Sequence, residues 1–231
     1  MASNYVSKKY NVDIVFCIDA TMSMYQILDK VKENTKNFYI DLTDAMAHKG
    51  KKVDQLRVRI VMFRDYYYDK EDAMFVTDFF NLPAQSAEFD QCVNSIEPKG
   101  GGDDPEDALE ALAYAIRSDW TPADPEAKRR QVVVLWTDAA PHPLGFARTE
   151  PNYPKNGPLT MKELTAWWGA PGLDGYMDKK AKRLLLYAPE DPTWDSINKN
   201  WNNTIYFPSN AGDGLREFEY KQIIDVIAAS I

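Results

Sequence analysis

The chain has 231 residues, 35 of them acidic and 27 basic, for a formal net charge of −8, and 45% of it is hydrophobic. That much apolar material suffices for one sizeable core, and 14 Pro with 11 Gly exclude collagen-like and wholly disordered classes. The acidic balance argues against a general nucleic-acid binder, because phosphate contacts need a basic stripe and no unbroken basic run longer than Lys128-Arg129-Arg130 occurs; a divalent cation is the better match. No uncharged apolar run reaches the roughly 18 residues of a membrane span, and no apolar segment follows Met1 as a signal peptide would require. Cys17 and Cys92 each lie in an apolar run, so two buried free thiols and a reducing, cytoplasmic setting are expected.

In chain order, Val12 to Ile18 is a short apolar run stopped by Asp19, the pattern of a buried parallel strand. Ile27, Val31, Phe38 and Leu42 then stripe one helix running to about Lys49. Leu56 to Phe63 and Ala73 to Phe79 are two strands whose short polar connection cannot hold a crossover helix, so they pair antiparallel. Phe89, Cys92, Val93 and Ile96 mark a second helix. The acidic, Gly-rich segment Gly100 to Asp107 leads into a third helix, with Asp104 as its expected N-cap, Pro105 in its first turn, and Leu109, Leu112, Ala113 and Ile116 on its buried stripe.

Val132 to Thr137 is a further buried strand, again stopped by an aspartate, Asp138. Leu184 to Tyr187 and Thr204 to Phe207 are two more, and Tyr220, Ile223, Ile224 and Ile227 stripe a last helix. Between them, 139–183 forms a long insert with six Pro and five Gly, containing one short helix from Thr160, capped with Glu163, to Trp168. The order predicts one domain over 1–231 of the doubly wound, Rossmann-like α/β class. It has a mostly parallel six-stranded sheet with one antiparallel edge strand and helices on both faces.

In such sheets ligands bind beyond the carboxyl ends of the strands. Asp19, Asp103 and Asp138 gather there, with Thr21 and Ser23 spaced by two after Asp19. Carboxylates and hydroxyls around one point are hard oxygen ligands, suited to Mg²⁺ or a similar divalent ion such as Mn²⁺ or Ca²⁺. The same topology puts Tyr66, Tyr67 and Tyr68, and the start of the insert at His142, on that edge. With Trp167 and Trp168 they form the expected partner surface.

The stretch Asp19-Ala20-Thr21-Met22-Ser23 resembles the Asp-x-Ser/Thr-x-Ser metal-ion-dependent adhesion site of von Willebrand factor A domains, and Trp136-Thr137-Asp138 resembles that family's second aspartate-bearing strand end. The resemblance implies the strand order 3-2-1-4-5-6, a protein-interaction module rather than an enzyme, and Asp19, Thr21, Ser23, Asp103 and Asp138 around the metal. The family usually supplies a Thr where this chain has Asp103, and Gly100 to Asp107 is closer to the intracellular branch associated with α-type protein kinases. A third carboxylate would leave the site net negative, holding its metal permanently and with less affinity for a partner's carboxylate. The alternative is a Mg²⁺-dependent phosphoryl-transfer hydrolase with Asp19 as nucleophile. It would need an acid two residues on, where Thr21 stands.

Overall fold

The computed structural model describes residues 8–102, 105–169, 172 and 174–231. Its strands are β1 (Lys8–Asp19), β2 (Lys51–Phe63), β3 (Met74–Val76), β4 (Phe80–Leu82), β5 (Lys128–Trp136), β6 (Lys182–Pro189) and β7 (Thr204–Ser209). They share one sheet in the order β3-β2-β1-β5-β6-β7, with β4 also on β2. β1, β2, β5, β6 and β7 are parallel, as expected from apolar runs buried on both faces. The antiparallel edge is two short strands rather than the single one expected over 73–79, so the sheet has seven strands, not six. The ladder changes character at Thr77: its N–H still donates to Ile60 O at 3.0 Å, but the return bond from the Ile60 N–H goes to the Thr77 side-chain Oγ1, also at 3.0 Å, in place of a backbone carbonyl.

Alternate residues of β1 serve two cores. Val12, Ile14, Phe16 and Ile18 pack under α1 (Tyr25–Asn34), α2 (Phe38–His48), α3 (Ser86–Asn94) and the C-terminal helix α7 (Tyr220–Ser230). Val15 and Cys17 face α4 (Ala108–Ile116), α5 (Met161–Trp168) and α6 (Pro192–Asn200). The single helix expected up to Lys49 is broken at Thr35–Asn37, a 3₁₀ turn where Thr35 Oγ1 donates back to Val31 O at 2.8 Å. Cys17 is buried, its thiol pushed well up by burial and directed at Ala111 O; Cys92 is half-buried, and both are free. No helix among the described residues is long and apolar enough to cross a membrane.

Helix α4 starts later than its sequence suggests. Asp107, not Asp104, is its N-cap, and the Asp107 side chain makes no cap bond because its Oδ2 accepts the Tyr66 N–H instead. Glu106 is drawn out of the helix into a bridge with Pro141, its N–H donating to Ala140 O and its carbonyl accepting from His142 N. Asp104 lies outside the described residues.

The insert helix α5 forms as the capping pattern predicts: Thr160 Oγ1 accepts the Glu163 N–H, Glu163 Oε2 accepts that of Leu159, and Gly169 closes the helix at φ 72°. Its placement corrects the expected partner surface. Trp168 is fully buried, stacked on Trp201 with ring centroids 5.1 Å apart, and its Nε1 donates to Asn202 O. Its apolar face has a core partner, so it cannot meet another protein. Lys182, also fully buried, donates Nζ to Trp168 O and Gly169 O, so an ammonium closes the carbonyl end of α5. Lys182→Met removes both donors while keeping the apolar stem. At about 1–3 kcal/mol for a buried acceptor left unsatisfied, the melting temperature is expected to fall by about 5–10 °C. An unchanged thermal melt would show that these carbonyls need no cap.

Candidate functional site

Parallel register delivers the site. Ile18 pairs with Trp136 and Asp19 with Phe63, so β1, β2 and β5 end level and their outgoing loops share one edge. Ala20 N donates to Phe63 O, and Arg64 Nε to Ala20 O, tying the loops after β1 and β2 together.

Asp19 is wholly buried at this edge. Its Oδ1 accepts the Thr21 backbone N–H at 2.9 Å and the Thr21 hydroxyl at 2.6 Å, and its Oδ2 accepts the Thr137 hydroxyl at 2.7 Å. Burial pushes its pKa up to about 6 despite those donors, with Asp138 nearby adding to the rise. Both oxygens are therefore engaged within the protein, and the residue two positions on is Thr21, not the acid that the hydrolase alternative needs. Asp138 accepts the Ser23 hydroxyl at 2.8 Å on Oδ1 and the Gly214 N–H at 2.7 Å on Oδ2. A side chain at Gly214, where φ is +59°, would strike Ser23 O, so the loop after β7 closes on the site only with glycine there.

The consequence is chemical. Thr21 and Ser23 each spend their one hydroxyl proton on a carboxylate, leaving lone pairs outward, and their oxygens stand 3.3 Å apart. Adjacent ligands of a small octahedral cation sit about 3 Å apart. Both residues line a cleft of about 490 Å³, together with Gly101, Glu106, Asp138 and Gly212. No three His, Cys, Asp or Glu side chains among the described residues converge on a metal-holding point; the cleft offers hydroxyls backed by carboxylates. Asp103 lies outside the described residues.

Glu106, Thr137 and Gly214 were not among the expected site residues. Glu106 is buried, lines the cleft, and its Oε2 has no hydrogen-bond partner among the described residues. Burial first, then Asp19, Asp65, Asp69 and Asp107, push its pKa up to about 10. A Cβ at Gly101, φ +80°, would lie 3.0 Å from Glu106 Oε1 and 3.1 Å from Thr21 Cβ, which places the two side chains against the same glycine. The signal for Glu106 was present in the acidic segment before α4. Its tertiary pairing with Pro141 was not.

Of the expected partner surface, Tyr66 and His142 are buried. His142 is hydrogen-bonded through Nε2 to Asp65 Oδ2 at 2.7 Å, and Tyr66 packs on Tyr153. They brace the loop whose next residues, Tyr67 and Tyr68, are 50% and 48% exposed, their N–H groups held by Asp65 Oδ1. Phe146, which sequence reasoning did not single out, stacks on His142 and stands edge-on to Tyr67, 51% exposed. Trp167 is half-buried beside α4, away from this cluster, against Tyr176 and Arg117.

Comparison with known proteins bears on the fold and the family. The structure is similar to that of proximal thread matrix protein 1 from the mussel byssus, at 11% identity and a TM-score of 0.50, covering 97% of this chain and 49% of that one. It is similar to the pilus adhesin SpaC of Lactobacillus rhamnosus GG, at 14% identity and 0.53, covering 95% and 30%. A von Willebrand factor type A structure from Catenulispora acidiphila matches at 15% identity and 0.52, covering 94% and 42%. At such identities the likeness is one of fold, and the chain spans less than half of each of these three. No curated protein matches the sequence. The sequence model of the von Willebrand factor A domain matches residues 13–142, more than half of the chain, and takes in most of β1, all of α4 and β5, and the loops after β1 and β5 that line the cleft, but not the loop after β7. The chain belongs to the von Willebrand factor A domain family.

Proposed function

We infer that the chain is a metal-organised protein-interaction module. Mg²⁺, or Mn²⁺ or Ca²⁺, would be held by Thr21, Ser23, Glu106 and Asp138, with Asp19 orienting Thr21 from behind and Asp103 as a further ligand. The observation that carries this reading is the orphaned, buried Glu106 Oε2 beside two outward-facing hydroxyl oxygens in the same cleft. A carboxylate oxygen buried without a partner is costly, and an all-oxygen cleft suits a hard cation. When bound, the ion supplies positive charge where carboxylates from separate loops crowd together. The site is thus the metal-ion-dependent adhesion type, and the string Gly100 to Asp107 supports placing the chain in the intracellular, kinase-associated branch. Free thiols fit a reducing, cytoplasmic setting.

Four carboxylates around one divalent ion leave little attraction for a partner's acid. The partner therefore docks on the exposed aromatic rim of Tyr67, Tyr68 and Phe146, which the metal-held loops position. Tyr67→Ala combined with Phe146→Ala is expected to abolish partner capture while leaving Mg²⁺ titration and the melting temperature unchanged. Equal capture by the double variant would place docking elsewhere.

A hundredfold excess of Mg²⁺ over its Kd stabilises the fold by about 2.7 kcal/mol, or about 5–10 °C in melting temperature. Ser23→Ala and Asp138→Asn are expected to lose that rise. Coincident melts of metal-free protein with chelator and with excess Mg²⁺, and the same with Mn²⁺ and Ca²⁺, would refute the reading.

The raised carboxylates add a pH signature. A carboxylate whose pKa is higher in the folded state stabilises the fold below its ordinary value of about 4. It loses that contribution as pH climbs to the raised value, which for Asp19 is about 6 and for Glu106 about 10. The metal-free melting temperature is expected to fall between pH 5.5 and 8, while Mg²⁺ binding tightens as protons leave the site. Glu106→Gln should lessen the first trend, Asp107 and Glu110 with their raised pKa values near 7 carrying the rest, and weaken Mg²⁺ at least tenfold; thermal melts and calorimetric titration at several pH values check the two.

A further inference from the structure

A second cavity, of about 380 Å³, lies between α4 and the insert and shares no lining residue with the metal cleft. One wall is a single face of α4 carrying Glu110 and Tyr114, continued by Arg117 at the helix's C-cap, at i, i+4 and i+7; the other is the loop 154–158 with Trp167. The two ends differ in sign. At one, Glu110 is 1% exposed: its Oε1 accepts the Tyr153 hydroxyl at 2.6 Å and the Gly145 N–H at 3.3 Å, but its Oε2 has no partner among the described residues. At the other, the Arg117 guanidinium is held 5.1 Å over the Trp167 ring and 5.4 Å over Tyr176, and Arg59 comes up from β2, fixed by Thr77 O and Ser118 Oγ. Lys155 adds charge on the insert side.

Seven residues of helix separate the poles by about 10 Å, the length of about three extended residues. A lone anion would meet Glu110, and a polycation would meet Arg117, Arg59 and Lys155. A ligand with an ammonium at one end and a carboxylate at the other satisfies both, and the aromatic wall between favours an apolar middle. We propose that this groove binds a short unblocked peptide of about three residues, its amino terminus on Glu110 and its carboxyl terminus on Arg117 and Arg59.

The probe is the tripeptide Ala-Leu-Ala with free ends, titrated calorimetrically into the whole chain beside its N-acetylated and its C-amidated forms. The free peptide is expected to bind saturably, and each blocked form at least tenfold more weakly. Glu110→Gln should erase the difference between free and N-acetylated peptide, and the exposed Arg117→Met the difference between free and amidated, with Mg²⁺ titration unchanged in both. If Glu110→Gln does not fold, the Arg117→Met comparison and the two blocked peptides still decide. No saturable binding up to about 5 mM, or equal binding of free and doubly blocked peptide, overturns the proposal and leaves the metal reading untouched; loss of Mg²⁺ binding alone would do the reverse.

Discussion

Everything at the carboxyl edge of the sheet depends on how one buried carboxylate is satisfied. Asp19 is wholly buried, and its two oxygens accept from two threonine hydroxyls and one backbone N–H. Thr21 comes from its own loop and Thr137 from the end of β5, so the same side chain fixes the shape of one loop and ties it to the next. Asp138 repeats the device one strand over, joining Ser23 to the loop after β7. The two hydroxyl protons are thereby committed inward, and the lone pairs left outward are the site's chemistry.

Behind that surface the molecule concentrates buried carboxyl groups. Glu106, Asp107 and Glu110 each retain an oxygen without a hydrogen-bond partner among the described residues, and burial raises the pKa of all three. Unpaired buried carboxylates work against folding, so their concentration along one helix entry points to ligands rather than to stability. Some compensation is built in: the buried Arg64 reaches Ala20, Asp72 and Glu97 carbonyls at the same edge, and His142 meets Asp65.

The insert is packed against the fold along one part and exposed along another. Trp168 and Lys182 lock α5 against β6 and Trp201, and that fixed helix holds Trp167 opposite α4. The part of the insert that reaches the carboxyl edge of the sheet is its beginning, where Phe146 stands on His142 beside Tyr67.

The sequence by itself determined the parallel strands, through apolar runs that stop at Asp19 and Asp138, and hence the common edge on which Thr21, Ser23 and Asp138 meet. It determined α5 as well, because the Thr160 and Glu163 cap is a local interaction within one turn. Exposure was not legible: Tyr66, Tyr67 and Tyr68 are alike in sequence, yet only the first turns inward, onto Tyr153 from a loop distant in the chain. The break between β3 and β4, the late start of α4 and the entry of Glu106 into the cleft were likewise decided by tertiary structure. Each turns on a long-range hydrogen bond, from Ile60 to Thr77, from Tyr66 to Asp107, and between Glu106 and the residues around Pro141, that competes with local propensity and wins only once the strands have brought the partners together.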